Sequence, residues 1–212
     1  MKNLLSSLFL SLFLFSISSA QSSVEDLQNG YLNTITTAVP FLIISPDARA
    51  GGMGDVGVAS SPDAMSLHWN PAKYAFAEDN FGASVSYTPW LKSLIPDINL
   101  SYLSLYAKRS NNEVLAFSLR YFTLGEINFT DSNGNPIGSF NPNEFSFSTA
   151  YALKLSNNFS SAVSLRYIYS NLTGGQEVGT LPTKAGNSVA GDISSYYVKD
   201  IRLGGNDFTW SN

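Results

Sequence analysis

The stretch whose spacing most resembles a chemical motif is Gly52-Met53-Gly54-Asp55-Val56-Gly57, which matches the G-x-G-x-x-G pattern of dinucleotide-binding proteins. That pattern holds a pyrophosphate only where it joins a parallel strand to a crossover helix. Here Pro46 interrupts the short apolar run before the motif, and the Ser-Ser-Pro-Asp run at 60–63 would break any helix after it. We therefore expect tight turns in a packed segment, and no nucleotide cofactor.

His68 is the only histidine, and the chain has no cysteine. A hydrolase acting on lipid or lipopolysaccharide would need a serine activated by a base that a third group orients. His68 lies beside Trp69 in the glycine-rich stretch, which favours a structural role, and no histidine and carboxylates have the spacing of metal ligands. The sequence predicts no enzyme, no metal and no cofactor.

The glycine-rich stretch also carries opposite charges within a short span, so it could be held together by ion pairs. We expect Arg49 to pair with Asp55 or Asp63, and the glycines to pack closely against a neighbouring wall. An Asn-Pro pair then fixes a turn. The residues predicted to have these structural roles are Asp47, Arg49, Gly51, Gly52, Gly54, Asp55, Asp63, Asn70 and Pro71.

The N-terminus predicts export. Lys2 precedes an apolar run from Leu4 to Ile17, and Ser18 and Ala20 are the small residues of a cleavage site, so residues 1–20 are predicted to be a signal peptide. The mature chain would begin near Gln21, outside the cytoplasm. Residues 21–79 form an N-terminal segment in which 34–44 should be extended and 63–73 should contain one short helix.

The composition narrows the class of protein. Charged residues are 13% of the chain against a usual value of about 25%, and aromatic residues also reach 13%. The formal net charge of −4 gives no electrostatic reason to expect nucleic acid as a partner. After the signal peptide no apolar stretch reaches the ~20 residues of a transmembrane helix. These features favour a chain rich in β-strands.

Residues 80–212 alternate with a period of two, which is typical of strands. Long loops at 89–96, 124–142 and 171–187 alternate with short polar turns, and Asn133-Gly134 suggests a small hairpin within the second loop. The predicted strands are 81–88, 98–108, 115–121, 145–154, 159–169 and 189–199, with a seventh beginning near 207.

One face of these strands is bulky and aromatic, and the other is mostly Ser, Ala and Gly with an occasional Arg or Lys. Bulky side chains towards lipid and small polar ones towards a lumen are the pattern of a transmembrane barrel. The fold class predicted is therefore all-β, an antiparallel transmembrane β-barrel in the outer membrane. Because such barrels have even strand numbers, we expect these six or seven strands to be the front part of a longer barrel.

Pro46-Asp47-Ala48-Arg49-Ala50-Gly51-Gly52-Met53-Gly54, followed by His68-Trp69-Asn70-Pro71-Ala72, closely resembles the start of the PorV family of type IX secretion system outer-membrane proteins. The stretch at 87–98 resembles that family's first hairpin. The family is similar to the FadL group of barrels, in which a glycine-rich segment ending in Asn-Pro-Ala belongs to an N-terminal hatch inside the lumen.

The resemblance implies a barrel of about fourteen strands with a hatch, of which this chain would supply the N-terminal part. It also implies that the protein carries cargo rather than transforming it. Its partners would be exported proteins with C-terminal signal domains, the secretion translocon, a surface attachment complex containing a sortase, and outer-membrane lipid. The three long loops are the candidate cargo contacts.

A FadL-like porter of hydrophobic small molecules is the main alternative, since it would share the barrel and the hatch. It should have an apolar pocket on the inner face. The inner face instead carries six serines and two arginines, which favours a lumen lining beside a hatch. These residues are Ser84, Ser86, Ser146, Ser148, Ser160, Ser164, Arg120 and Arg166. A lipid hydrolase using His68 is a less favoured alternative.

Overall fold

A computed structural model describes residues 39–89, 97–130, 133–172, 177–178, 181–182, 185–203 and 206–211. They belong to the second of the chain's two compact units, Val39–Asn212. The predicted signal peptide and most of the predicted loop at 89–96 lie outside the described residues.

Residues 39–77, here called the cover segment, form four short helices. They are the 3-10 helices η1 (Pro40–Leu42) and η2 (Pro71–Phe76) and the α-helices α1 (Ala48–Gly52) and α2 (Ser66–Trp69). Prolines begin both 3-10 helices, where a missing N–H costs no hydrogen bond. The expected extended run at 34–44 is therefore wrong over its described end, because the φ of Pro40 suits a helical turn as well as a strand. The expected short helix within 63–73 is present as α2.

The strands form one main antiparallel sheet of seven strands, in the order β1-β2-β3-β6-β7-β10-β11. The small hairpin expected between β3 and β6 is present as β4 and β5, and a second short pair, β8 and β9, lies between β7 and β10. The bounds are β1 Phe81–Pro89, β2 Ile98–Lys108, β3 Glu113–Leu124, β4 Ile127–Thr130, β5 Pro136–Phe140, β6 Asn143–Lys154, β7 Phe159–Asn171, β8 Glu177–Val178, β9 Leu181–Pro182, β10 Gly186–Leu203 and β11 Asn206–Ser211.

The regular structure after the cover segment consists of antiparallel strands, which confirms the predicted all-β class. Among the described residues, β1 and β11 are the two edges of the sheet and do not pair with each other. In the part of the chain that the structure describes, no helix is long and apolar enough to cross a membrane.

The two faces of the sheet differ in the sense that the alternation predicts. The uncovered face presents large apolar side chains to the surroundings, such as Val85 (78% exposed), Ile193 (82%) and Leu165 (57%). The opposite face is buried and is composed largely of small and polar residues, among them Ser104, Ser118 and Ser160. A water-soluble sheet with one covered face would bury its aromatic side instead.

The cover segment packs on the small-residue face. Alanines on three neighbouring strands lie in register (Ala116 with Ala150, and Ala152 with Ala162), and they leave room for η2 to approach the sheet. The ring of Tyr74 from η2 is fully buried in this cluster. A second cluster forms where Phe41 of η1 packs against Leu100, Phe122 and Ile168. The core therefore lies between the cover segment and one face of the sheet.

Candidate functional site: the interface between the cover segment and the sheet

Arg120, in the middle of β3, forms more hydrogen bonds across this interface than any other side chain that the structure describes. Its Nη1 donates to three backbone carbonyl oxygens in and just after η1, those of Phe41 (3.0 Å), Leu42 (2.7 Å) and Ile44 (3.2 Å). The guanidinium also lies 5.2 Å from the ring centroid of Tyr102. Arg120 is only 3% exposed, so these bonds form away from bulk water. One side chain of the sheet therefore anchors the whole turn that follows η1.

His68 of α2 is held by the same guanidinium, since its Nδ1 lies 2.7 Å from Nη2 of Arg120. A guanidinium has only donors, so Nδ1 must be the acceptor and the imidazole must be neutral with its proton on Nε2. Burial, and then the positive charges of Arg120 and Arg166, lower the pKa of His68 to about 3. A ring that binds protons so weakly is a poor general base near neutral pH.

Lys73 of η2 forms hydrogen bonds within the cover segment. Its ammonium is fully buried and donates to the carbonyl of Gly57 (2.8 Å) and to the hydroxyl of Ser60 (3.0 Å). Burial lowers the pKa of Lys73, and the charge of Asp63 partly offsets this. A buried ammonium is costly without hydrogen-bond acceptors, so these two bonds hold the loop between α1 and α2 in place.

The Asn-Pro turn joins the cover segment to β10. Asn70 Oδ1 accepts from the backbone N–H of Ala72 (3.1 Å) and so caps η2. Its Nδ2 donates to the carbonyl oxygen of Ser195 on β10 (2.9 Å). The carbonyl of Ala72 in turn accepts from Ser160 Oγ of β7 (2.7 Å). The Asn-Pro-Ala element is therefore both a helix start and a point of attachment to the sheet.

Tyr74 gives a further point of attachment. Its buried hydroxyl accepts from the N–H of Leu67 (2.9 Å) and donates to the carbonyl of Ala64 (3.0 Å). Its ring lies 4.8 Å from the ring of Tyr106 on β2. Burial raises the pKa of the Tyr74 hydroxyl, which keeps it protonated as a donor.

Of the charged residues expected to pair in the glycine-rich stretch, Arg49 and Asp63 lie close together. Arg49 Nη1 lies 3.4 Å from Asp63 Oδ2, which is one of the two pairings expected, although the Arg49 side chain is 54% exposed. Asp47 caps α1 by accepting from the N–H of Arg49 (2.9 Å), and its Oδ2 accepts from Trp69 Nε1 (3.3 Å). Asp55 is exposed with a φ of 59° and lies in the turn after α1.

Gly51, Gly52 and Gly54, which were expected to pack against a barrel wall, are all exposed among the described residues, and that packing stays a prediction. An added Cβ at Gly52 or Gly54 would meet no atom of the described chain within 4 Å. The close approach occurs at Gly57 instead, where a Cβ would lie 2.3 Å from the Trp69 ring. Gly54 has a φ of 82°, so a glycine there serves the backbone turn.

Sequence reasoning placed Arg120 on the inner face but did not foresee its role, and it missed Lys73 and Tyr74. Their partners are mostly backbone carbonyls far away in the sequence, which carry no signature in residue types. The one available signal was an isolated arginine among serines and alanines on the covered face of a strand.

The G-x-G-x-x-G spacing begins at the end of α1 and lies in a turn, so it does not form a strand-to-helix nucleotide site. Among the described residues, no group of three or more His, Cys, Asp or Glu could hold a metal.

Comparison with known families identifies the chain's relatives. The family described as "Type IX secretion system protein PorV" matches residues 27–210, which include the cover segment and the main sheet up to the last residue of β11.

The chain belongs to the PorV family.

The resemblance of the 46–54 and 68–72 stretches to this family is thereby confirmed, and the chain is a component of the type IX secretion system. The PorV family is a secretion-system family and not a known enzyme family. No curated protein matches the chain significantly.

Proposed function

We propose that the chain contributes to an outer-membrane β-barrel of about fourteen strands that binds exported cargo and passes it from the secretion translocon to the surface attachment complex. The cargo would be proteins with C-terminal signal domains, and the attachment complex would contain a sortase. The observation that carries this proposal is membership of the PorV family over residues 27–210.

The uncovered face of the sheet supports a place in a lipid bilayer. It carries exposed Leu, Val, Ile, Phe and Tyr side chains along β1, β3, β6, β7 and β10. Strands β1, β2, β3, β6 and β7 of the main sheet have 9 to 13 residues and β10 has 18, so each is long enough for a tilted strand to cross a membrane. Lipid would cover these side chains, whereas water would leave a large apolar surface exposed.

The cover segment is proposed to be the hatch of the barrel. It binds the polar face of the sheet, which would be the luminal face if the bulky face contacts lipid. The hydrogen bonds of Arg120, Asn70 and Ser160 attach it at three separate strands. These attachments favour a hatch that stays in place, as a carrier of folded cargo at the barrel rim would need.

The cargo contacts are proposed to lie on the loops at the end of the sheet opposite the short turns 109–112 and 155–158. The described part of the loop at 124–142 forms the β4–β5 hairpin, whose Ile127 is 44% exposed. The cavity beside Arg120 is small and is lined mainly by polar groups, so it offers no apolar pocket for the porter alternative at that position.

The test is a deletion strain complemented with loop variants. Loss of the gene should stop proteins with C-terminal signal domains from reaching the cell surface, and full-length protein should co-purify with them. Replacing residues 126–141 by a short Gly-Ser linker should weaken cargo capture while the barrel still assembles. The matched control is a Gly-Ser insertion in the 155–158 turn, which should leave capture unchanged. Normal surface display in the deletion strain would contradict the shuttle and favour a porter.

A further inference from the structure

Strand β10 extends past its neighbour β7 at the end of the sheet that carries the short turns. It has 18 residues, of which Gly186–Tyr197 pair with β7 and Val198–Leu203 pair with β11 alone. At the same end, the other neighbouring strands stop within one residue of each other, as where Lys154 of β6 pairs with Ser160 of β7. The β10–β11 hairpin therefore extends beyond the other strand ends by six residues, which is about 20 Å of strand.

Asn158, in the turn between β6 and β7, makes the last contact along the β7 side of β10. Its carbonyl oxygen accepts from the N–H of Val198 (2.8 Å), and its Nδ2 donates to the carbonyl oxygen of Val198 (2.7 Å). Both backbone groups of Val198 therefore face the β7 side. The backbone groups of successive residues in an antiparallel strand point alternately to its two edges. Those of Asp200 and Arg202 therefore face the same edge as those of Val198.

This edge of β10 has no neighbouring strand at Asp200 and Arg202 in the part of the chain that the structure describes, since pairing with β7 ends at Tyr197. A strand that paired with the outer edge of β11 would lie on the opposite side of the hairpin and would leave this edge open. Strand edges of this kind are templates for a further strand. A second copy in the same membrane would present β10 in the same direction, and parallel pairing in register would place like charges opposite each other, which is unfavourable.

We propose that the edge of β10 at Asp200 and Arg202 binds an extended periplasmic segment of the secretion translocon by strand addition. The bound segment would continue the ladder that Asn158 begins at Val198, and backbone hydrogen bonds would supply the affinity. Opposite charges at directly paired positions stabilise a sheet, so the segment should carry a basic residue opposite Asp200 and an acidic residue opposite Arg202. Short turns of outer-membrane barrels face the periplasm, so the identity of the partner rests on the function proposed above.

The first test is hydrogen–deuterium exchange at single-amide resolution on the full-length protein in detergent, alone and with translocon purified from the same cells. In the protein alone, the amides of Lys199 and Ile201 should be protected by pairing with β11, and those of Asp200 and Arg202 should exchange freely. With the translocon, the latter two should exchange at least about tenfold more slowly, because the added strand must open first. Unchanged exchange at both positions, or failure of the two proteins to associate, would overturn the proposal in favour of a solvated edge.

The second test uses proline to separate the two edges of β10. Arg202→Pro removes a backbone donor from the open edge, where proline is tolerated. It should weaken translocon binding about tenfold, through the loss of one backbone hydrogen bond and one charge pair, and leave the unfolding temperature unchanged. The matched control is Ile201→Pro, which removes a donor to β11 and should lower the unfolding temperature.

Arg202→Glu keeps the backbone donor and reverses the charge, so it tests the same edge without a change to the backbone. It should also weaken translocon binding. Binding equal to that of the unsubstituted chain in both Arg202 variants would contradict strand addition at this edge. Cargo binding by the unsubstituted chain is measured in parallel, so that failure of the cargo shuttle and failure of strand addition give different results.

Discussion

Replacing Arg120 by methionine should loosen the turn after η1 more than any other part of the chain. The substitution keeps an unbranched chain of similar length but removes the donors to the carbonyls of Phe41, Leu42 and Ile44 and to Nδ1 of His68. These groups would then lack the partner that compensates their burial. Phe41 is fully buried, whereas Leu42 and Ile44 are half-buried, so water can replace the bond at those two positions in part.

The magnitude follows from these exposures. A buried polar group left without a partner costs about 1–3 kcal/mol, and hydrogen bonds to charged donors are at the upper end. The substitution also removes the buried charge of Arg120, whose desolvation opposes folding, and this offsets part of the loss in stability. We expect a net loss of about 3 kcal/mol, which corresponds to a roughly hundredfold larger equilibrium constant for opening of this turn, and so to faster exchange of its amides.

The assay is hydrogen–deuterium exchange of peptides covering residues 39–45, measured on the full chain in detergent, alongside denaturant unfolding. Arg120→Lys should have an intermediate effect, because an ammonium keeps the charge but cannot reach the carbonyls and His68 in the same fork geometry. Arg109→Met is the control, since Arg109 is 72% exposed and lies 3.9 Å from Glu113. Such a surface pair contributes little. Unchanged exchange at 39–45 in Arg120→Met would refute the role of Arg120 as the anchor.

Two further predictions concern the glycines and the histidine. Gly57→Ala should destabilise the chain by about 1–3 kcal/mol and alter Trp69 fluorescence, because the new Cβ would lie 2.3 Å from that ring. The control Gly52→Ala should have almost no effect on stability, since its new Cβ would meet no atom within 4 Å. Equal effects of the two substitutions would contradict the close approach of Gly57 to Trp69. His68 has a pKa of about 3 in the folded chain against 6.5 for the free side chain, so its ring is neutral in both states above pH 6.5. Between pH 6.5 and 3 only the unfolded chain gains the proton, and stability should fall by up to about 1.4 kcal/mol per pH unit. His68→Asn should remove this share of the pH dependence of unfolding, and an identical pH profile would contradict the inferred neutral ring.

The sequence by itself determined the strands and the sense of their faces. Alternation is a local property, since a side chain's face in a strand depends only on whether its position is odd or even. Phe117 and Ser118 are neighbours with opposite exposure for that reason alone. The hairpin within 124–142 and the Asn-Pro turn were likewise predictable, because turn residues act within a few positions. The long string from Pro46 to Gly54 was specific enough to indicate the family.

Tertiary structure decided what holds the cover segment to the sheet. Arg120 bonds a carbonyl 79 positions away, and every residue type has that same carbonyl, so no pattern in the sequence marks it. The same holds for Lys73 and the carbonyl of Gly57. The sequence shows that four glycines lie close together, but only the position of the Trp69 ring decides that Gly57 is the one under steric constraint. Attachments made through backbone atoms depend on where the folded chain places them, and that is fixed by packing across the whole sheet.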